Sequence, residues 1–190
     1  MRPVNERRRA ELADAAIEVA VREGLHGLSH RAVDEAAGVP RGTTSNYFRS
    51  RDSLLEATQR RLMDLHFDLM EQFRARSDGL VDSVSRVLEH ALTQYPGRYL
   101  VMLELALKST RDPDTRLAFV GLTGEAMERT YQAHDVDRDV SAKDVQLLSV
   151  FYNGLLFTSL VMPEILADRS PGELTREALE KLLSISGETP

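Results

Sequence analysis

The sequence lacks cysteine and tryptophan, and aromatic residues make up only 6% of its 190 residues. Without cysteine, the chain can form no disulfide framework and offers no thiolate as a nucleophile or metal ligand. No run of eighteen apolar residues occurs, and the chain opens on a polar, basic segment. We therefore predict neither a membrane-spanning helix nor a signal peptide, and we expect a cytoplasmic protein that does not bind membranes.

The motifs of common enzymes are also missing. There is no glycine-rich phosphate-binding loop, no GxSxG and no recognisable pair of carboxylates. The histidines do not follow a metal-binding pattern, because a helix start separates His26 from His30. His66 lies two residues from Asp64 and from Asp68, and side chains at that spacing do not share a helix face. We predict no enzymatic activity, no metal and no cofactor.

Charge is distributed unevenly along the chain. Residues 1–51 hold nine arginines and seven acidic residues, a net charge of +2, within a chain whose net charge is −6. A basic N-terminal segment attached to an acidic remainder favours contact between that segment and a polyanion, although chance clustering of arginine is the alternative. The arginine run over residues 7–9 fits either a solvated helix start or a contact with DNA phosphates or the minor groove.

The stretch from Ser29 to Arg51 predicts two short helices joined by a tight turn. Gly38 tolerates the positive φ of such a turn, and Pro40 fixes φ where a second helix begins. That second helix, over residues 41–48, is rich in hydroxyl and amide side chains rather than apolar ones. Such a helix buries itself poorly, but its side chains can reach base edges and phosphates in a DNA groove.

Residues 10–58 resemble the N-terminal domain of the tetracycline-repressor (TetR) family without a gap. Residues 36–48 match the pattern AAGVxxGTxxxYF, and a basic residue and a Leu-Leu pair follow. The resemblance implies an all-α protein of about nine helices. Residues 1–51 would form a three-helix, homeodomain-like helix-turn-helix domain, and residues 52–190 a helical domain for ligand binding and dimerisation.

The resemblance also implies DNA-contacting roles for individual residues. Arg31 is expected to read a guanine, whereas Tyr47 and Arg51 are expected to contact phosphates. Thr43 and Thr44 are expected on the outer side of the recognition helix, and for every outward residue the alternative is a solvated helix face. The expected DNA-binding residues are Ser29, His30, Arg31, Arg41, Gly42, Thr43, Thr44, Asn46, Tyr47 and Arg51.

Helical periodicity continues through the rest of the chain. Helices are predicted over about 51–76, 80–94, 99–109, 113–133 and 141–162, and from 171 onward. The helix over 141–162 is apolar on nearly all sides, whereas a surface helix shows one apolar stripe. We therefore expect it to be covered twice, by its own core and by another surface; a wholly intramolecular core helix is the alternative.

Aromatic and methionine side chains are scattered among these helices, where the family resemblance implies a cavity for a small-molecule inducer. Plain core packing is the alternative for each of them. The candidate ligand-binding residues are Phe67, Met70, Met102, Glu104, Phe119, Met127, Phe151 and Asn153, with Glu104 and Asn153 as the polar groups.

The last two predicted helices are expected to form a two-fold, four-helix dimer interface. Candidate interface residues are Leu148, Tyr152, Leu155, Leu156, Ser159, Leu160, Ala178 and Leu182, of which half could instead face the chain's own core.

We predict a ligand-responsive transcriptional regulator, most simply a repressor. It would bind a double-stranded DNA operator with an inverted repeat as a homodimer, and an inducer of unidentified chemistry would release it. The alternative is an all-α ligand-binding or catalytic bundle that does not bind DNA.

Overall fold

The structure, a computed structural model, describes residues 3–113 and 142–186 and, between them, the pairs 116–117, 120–121, 124–125 and 128–129. Side chains are described for all of these except residues 3–5, 142–145 and 182–186. The described residues form eight α-helices, one short 3-10 helix and no strand. The predicted all-α class is confirmed.

The helix bounds agree with the predicted ones to within a few residues, except at the start of the chain, where the first helix begins at Pro3. The α-helices are α1 (Pro3–Gly27), α2 (His30–Ala36), α3 (Thr43–Tyr47), α4 (Arg51–Arg74), α5 (Leu80–Gln94), α6 (Pro96–Ser109), α7 (Ala142–Val161) and α8 (Pro171–Ser186), and the 3-10 helix is Pro163–Leu166. The helix predicted over 113–133 falls largely outside the described residues.

The chain divides into two compact units. The first comprises Met1–Leu65 and Leu100–Thr123, and the second comprises His66–Tyr99 and Gly124–Pro190. This division differs from the predicted domain boundary after residue 51, because the start of α4 and most of α6 belong to the first unit.

The core of the first unit is built around α1. The apolar residues that recur at helical spacing along α1 are all buried: Leu12, Ala15, Ala16, Val19 and Ala20. Val33 from α2, Leu54 from α4 and Leu105 from α6 pack into the same cluster, and Phe48, just after α3, is fully buried there. Burial of a large apolar side chain contributes about 1.5–3 kcal/mol. This shared core explains why parts of α4 and α6 belong with the helix-turn-helix segment.

The second unit is built from α5, α7 and α8 together with the second half of α4. The apolar residues that recur at helical spacing along α5 are all buried: Val84, Val87, Leu88, Ala91 and Leu92. Leu148, Leu155 and Leu156 of α7 are also buried, at 8% exposure or less. The prediction that these three leucines form a dimer interface is wrong, because they face the core of their own chain.

The other predicted interface residues have mixed positions. Ser159, Leu160 and Ala178 are partly buried, so their role in a dimer stays a prediction. The side chain of Leu182 lies outside the described residues.

Two kinds of feature are absent from the part of the chain that the structure describes. None of its helices combines the length and the hydropathy that crossing a bilayer requires. Nor do three or more histidine, aspartate or glutamate side chains come together there in an arrangement that could hold a metal ion.

Candidate nucleic-acid interface

Ser29 caps the start of helix α2. Ser29 has extended backbone angles, and its Oγ accepts a hydrogen bond from the Ala32 N–H at 3.2 Å. This bond satisfies one of the N–H groups that lack a partner at a helix start. The side chain of Ser29 therefore works within the protein, and its predicted contact with DNA stays a prediction.

The turn between α2 and α3 uses two glycines with positive φ. Gly38 has a φ of 62° and Gly42 a φ of 88°. A residue with a Cβ is strained by about 1 kcal/mol or more in this region. Gly42 is the N-cap of α3, and a glycine has no side chain with which to cap the helix. The cap must therefore come from elsewhere.

Asp34, on α2, supplies the missing cap. Its Oδ2 accepts the Gly42 N–H at 2.7 Å, and its Oδ1 accepts the Thr44 N–H at 2.7 Å and the Thr44 hydroxyl at 2.6 Å. Burial raises the pKa of the Asp34 carboxyl, but the hydrogen bonds from Thr44 and Gly42, with the nearby His30, outweigh it and hold that pKa below its usual value. No sequence pattern indicates this role for Asp34.

The prediction that Thr44 lies on the outer side of the recognition helix, α3, is wrong. Thr44 is 0% exposed, and its hydroxyl points to Asp34. A polar side chain such as that of threonine is normally expected on the outside of a helix. Thr44 can be buried because its hydroxyl has a hydrogen-bond partner, Asp34, on another helix. Thr44 cannot contact DNA in this arrangement.

The outward surface of the recognition helix is formed by other residues. Arg41, Ser45 and Asn46 are exposed, and Arg31 is exposed on α2. The Ser45 hydroxyl donates to the Gly42 carbonyl at 2.8 Å. Ser45 is not among the DNA-binding residues predicted from the sequence, although it precedes Asn46 and is exposed like it. These four side chains combine two guanidinium groups, an amide and a hydroxyl, which is the chemistry that reads base edges.

Two predicted phosphate-contacting residues have partners within the first unit. His30 Nε2 donates to the Phe48 carbonyl at 2.6 Å. Arg51 donates to the carbonyls of Leu25 at 2.6 Å and Leu28 at 3.3 Å, which lie at the end of α1. Both side chains therefore brace the helix-turn-helix segment.

The arginine run on α1 has internal partners too. Arg7 and Arg8 pair with Glu11 at 2.9 Å, in exposed ion pairs that contribute little to stability. Arg9 donates to the backbone carbonyl of Tyr47 at 3.1 Å, and its guanidinium lies 4.6 Å above the Phe48 ring. Arg9 therefore connects α1 to the end of the recognition helix.

The predicted polar ligand-binding residues lie in different places. Glu104, in the first unit, accepts the Leu25 N–H at 3.0 Å and so stabilises the end of α1. Asn153, in the second unit, is exposed and donates to the Ser149 carbonyl one turn earlier at 2.7 Å. The prediction that Asn153 supplies a polar group inside a cavity is wrong for this reason.

The other predicted ligand-binding residues are only partly placed. Met102 packs against the core of the first unit. Phe67, Met70 and Phe151 are partly buried in the second unit. Phe119 and Met127 lie outside the described residues.

The second unit contains a polar cluster, formed by one histidine and two tyrosines, that no sequence pattern indicates. His66 Nδ1 lies 2.9 Å from the Tyr99 hydroxyl, and His66 Nε2 lies 3.4 Å from the Tyr152 hydroxyl. Burial lowers the pKa of His66 to about 4 and raises the pKa of both tyrosines. The imidazole is therefore neutral at pH 7. Tyr152 is predicted in the dimer interface; its hydroxyl points to His66 and its side chain is partly buried, so its role in a dimer stays a prediction.

An open cleft of about 420 Å³ lies on the second unit, among α4, α5 and α8. Arg86 and Arg176 line it, and both pair with Asp82, at 3.6 and 2.6 Å. None of the predicted ligand-binding residues lines this cleft. With its two arginines already paired, it offers no evident site for an anionic ligand.

Comparisons with known proteins agree with this arrangement. Residues 12–58 match the family described as "Bacterial regulatory proteins, tetR family". Residues 75–185, more than half of the chain, match "Tetracyclin repressor-like, C-terminal domain". The chain belongs to the TetR family. As a TetR family member it is a transcriptional regulator with a helix-turn-helix domain, and not an enzyme.

Among curated relatives, the chain is similar to the HTH-type transcriptional regulator BetI. The protein from Escherichia coli (strain K12 / DH10B) is 42% identical over 53 residues, which is 28% of this chain and 27% of that protein. The protein from Paraburkholderia phytofirmans is 38% identical over 60 residues, 32% of this chain and 31% of that one. The chain therefore aligns with less than a third of the length of these relatives.

Two solved structures are similar over nearly the whole chain. One is a TetR family member from Streptomyces coelicolor A3, SCO1917, with 27% identity, a TM-score of 0.74 and coverage of 92% of this chain and 97% of that one. The other is the multidrug binding protein EbrR in complex with ethidium, with 26% identity, a TM-score of 0.72 and coverage of 92% and 98%.

Proposed function

We propose that this TetR family regulator is a cytoplasmic repressor that binds an inverted-repeat operator as a homodimer and is released by a small molecule. The observation that carries the proposal is the recognition helix itself. Its outward side chains Ser45 and Asn46 are exposed, as is Arg41 just before the helix, while Thr44 anchors the inner side. Repression is the simplest outcome, because a dimer on a promoter blocks the polymerase.

The exposed side chains of the recognition helix suit the major groove. Arg41 can donate two hydrogen bonds to guanine O6 and N7, and Asn46 can pair with adenine N6 and N7. Ser45 can donate to or accept from either base edge. The net charge of +2 on residues 1–51 adds attraction to phosphates that does not depend on sequence.

The proposed homodimer rests on one face of α7. This face carries four large apolar side chains that are between 43% and 68% exposed: Leu147, Val150, Phe157 and Val161. Successive members are three, seven and four residues apart, which places them on one side of the helix. Gly154 lies in the same row and leaves open space beside the helix. An apolar face of this kind favours a covering surface. A second copy related by a two-fold axis would cover it and pair two DNA-binding units.

The small-molecule response is proposed from the similarity to EbrR, whose solved complexes contain ethidium and proflavin. In this chain, Phe67 and Phe151 are partly buried in the second unit, where His66 lies between two tyrosine hydroxyls. This surrounding suits a hydrophobic or amphipathic aromatic molecule. Such a molecule would release DNA by binding more tightly to the protein conformation that does not fit the operator.

Selection from random DNA tests the proposal. The full-length protein should enrich duplexes with an inverted repeat whose half-sites lie in successive major grooves, about 10 bp apart centre to centre. Affinity for the enriched duplex should fall steeply as salt rises, because phosphate contacts release counterions. Failure to enrich any sequence, or binding that does not respond to salt, would contradict the proposal.

A further inference from the structure

We propose that Asp34 is a positioning residue for DNA recognition: from α2, it fixes the backbone that presents Arg41, Ser45 and Asn46. The inference rests on the proposed DNA-binding function and names a residue on which sequence discrimination depends. Asp34 itself is only 3% exposed, so it acts through the recognition helix and not by touching DNA.

The recognition helix needs outside support for its geometry. It spans only five residues, Thr43–Tyr47, and a helix of that length does not hold its shape alone in water. Its N-cap, Gly42, provides no side-chain hydrogen bond. The N–H groups of its first turn therefore require acceptors from another element.

The carboxylate of Asp34 meets this requirement with both oxygens. One oxygen accepts the Gly42 N–H, and the other accepts the N–H and the hydroxyl of Thr44, all at 2.6–2.7 Å. Hydrogen bonds to an ionised acceptor are shorter and stronger than neutral ones. The donors lie on both sides of the turn into the helix, so a single side chain fixes the turn and the first helical residues together.

The donors are also direct sequence neighbours of the outward residues. Arg41 precedes Gly42, and Ser45 follows Thr44. An asparagine at position 34 keeps only one acceptor oxygen, so one side of the turn would face an NH2 group in place of its acceptor, which destabilises this local geometry. The expected result is a shifted presentation of Arg41 and Ser45, while phosphate attraction by the rest of the unit persists.

Removal of the Asp34 carboxylate would have two opposite effects on DNA binding, one through its charge and one through its positioning role. A carboxylate beneath a DNA-binding surface repels phosphates, so its removal alone should leave binding to any duplex unchanged or stronger. Loss of positioning should instead weaken binding to the selected operator only. The ratio of operator affinity to random-duplex affinity therefore separates the two effects.

The test uses Asp34→Asn in the full-length protein, with Glu35→Gln as the control. Glu35 is exposed on the same helix, so its substitution removes the same charge without touching the recognition helix. The probes are the duplex enriched by the parent protein and an unselected random duplex of equal length. Asp34→Asn should lower the affinity ratio by about tenfold or more, and Glu35→Gln should change it by less than about twofold.

Thr44 provides a milder pair of variants, should Asp34→Asn fail to fold by circular dichroism. Thr44→Val keeps the backbone N–H bonds but removes the hydroxyl, and it should lower the ratio by about threefold. Thr44→Ser keeps every donor and should stay within about twofold of the parent protein.

Two results would overturn the inference. One is an unchanged affinity ratio in every folded variant at positions 34 and 44. The other is an equal loss of affinity for both duplexes. A smaller fraction of folded variant would explain such a loss without any positioning role for Asp34. Both require a parent protein that enriches an operator, so failure of the parent to do so would count against the proposed function instead.

Discussion

Burial of His66 should make the protein lose stability as the pH falls below neutrality. Its pKa in the folded state is lowered to about 4 by burial, whereas an unfolded histidine has a pKa of about 6.5. The unfolded state therefore binds a proton at a higher pH than the folded state does. Stability is greatest above pH 6.5, declines as the pH falls towards 4, and has lost the whole contribution below pH 4.

The size of the effect follows from the two pKa values. Integrated to pH 5, the difference corresponds to about 2 kcal/mol of lost stability, and the full shift to about 3 kcal/mol. The side chain of His66 keeps some accessible surface, so solvent screening makes these upper values. Even half of this loss is measurable, because typical domains are stable by only about 5–15 kcal/mol.

The assay is urea unfolding of the parent, His66→Gln and His26→Gln, at one protein concentration and at pH 7.5 and 5.0. His26 is exposed, so its substitution controls for the loss of an imidazole. Other groups also titrate between pH 7.5 and 5.0. The informative quantity is therefore the loss of unfolding free energy between the two pH values, compared among the three proteins. The parent and His26→Gln should each lose about 1–2 kcal/mol more than His66→Gln. An equal loss in all three proteins would refute the assignment of a neutral, buried imidazole.

The remaining predictions concern DNA binding and assembly. Arg41→Ala should cost about 1–3 kcal/mol of operator affinity in titrations with the enriched duplex, because a base contact is lost. Tyr47→Phe should weaken operator and random duplexes by the same factor, since a phosphate contact carries no sequence information. Val150→Glu should give a folded monomer in sedimentation equilibrium, because Val150 is 68% exposed in the chain. Leu155→Glu should instead lower the melting temperature of the chain in thermal melts, because Leu155 is only 7% exposed and burying a charge is costly.

Sequence patterns predicted the elements well because helical periodicity is a property of each segment by itself. The inner face of α1, the capping role of Ser29 and the turn at Gly38 all follow from local spacing and local backbone preference. Residues such as Asp34 and His66 could not be predicted in this way. Their partners lie on other helices, 10 residues away for Thr44 and 33 for Tyr99, and periodicity says nothing about which helices meet.

In two helices, α3 and α7, the composition does not indicate which side is buried. These two helices are also the ones most closely tied to the proposed function. Helix α3 is polar, and α7 is apolar on nearly every side, so each composition indicated an unusual role. Neither composition fixed which side faces which partner. A helix with one apolar stripe has an unambiguous orientation, whereas a uniform helix has none until its neighbours are known. This explains why the sequence pattern places Thr44 and Leu155 on the wrong faces of these two helices.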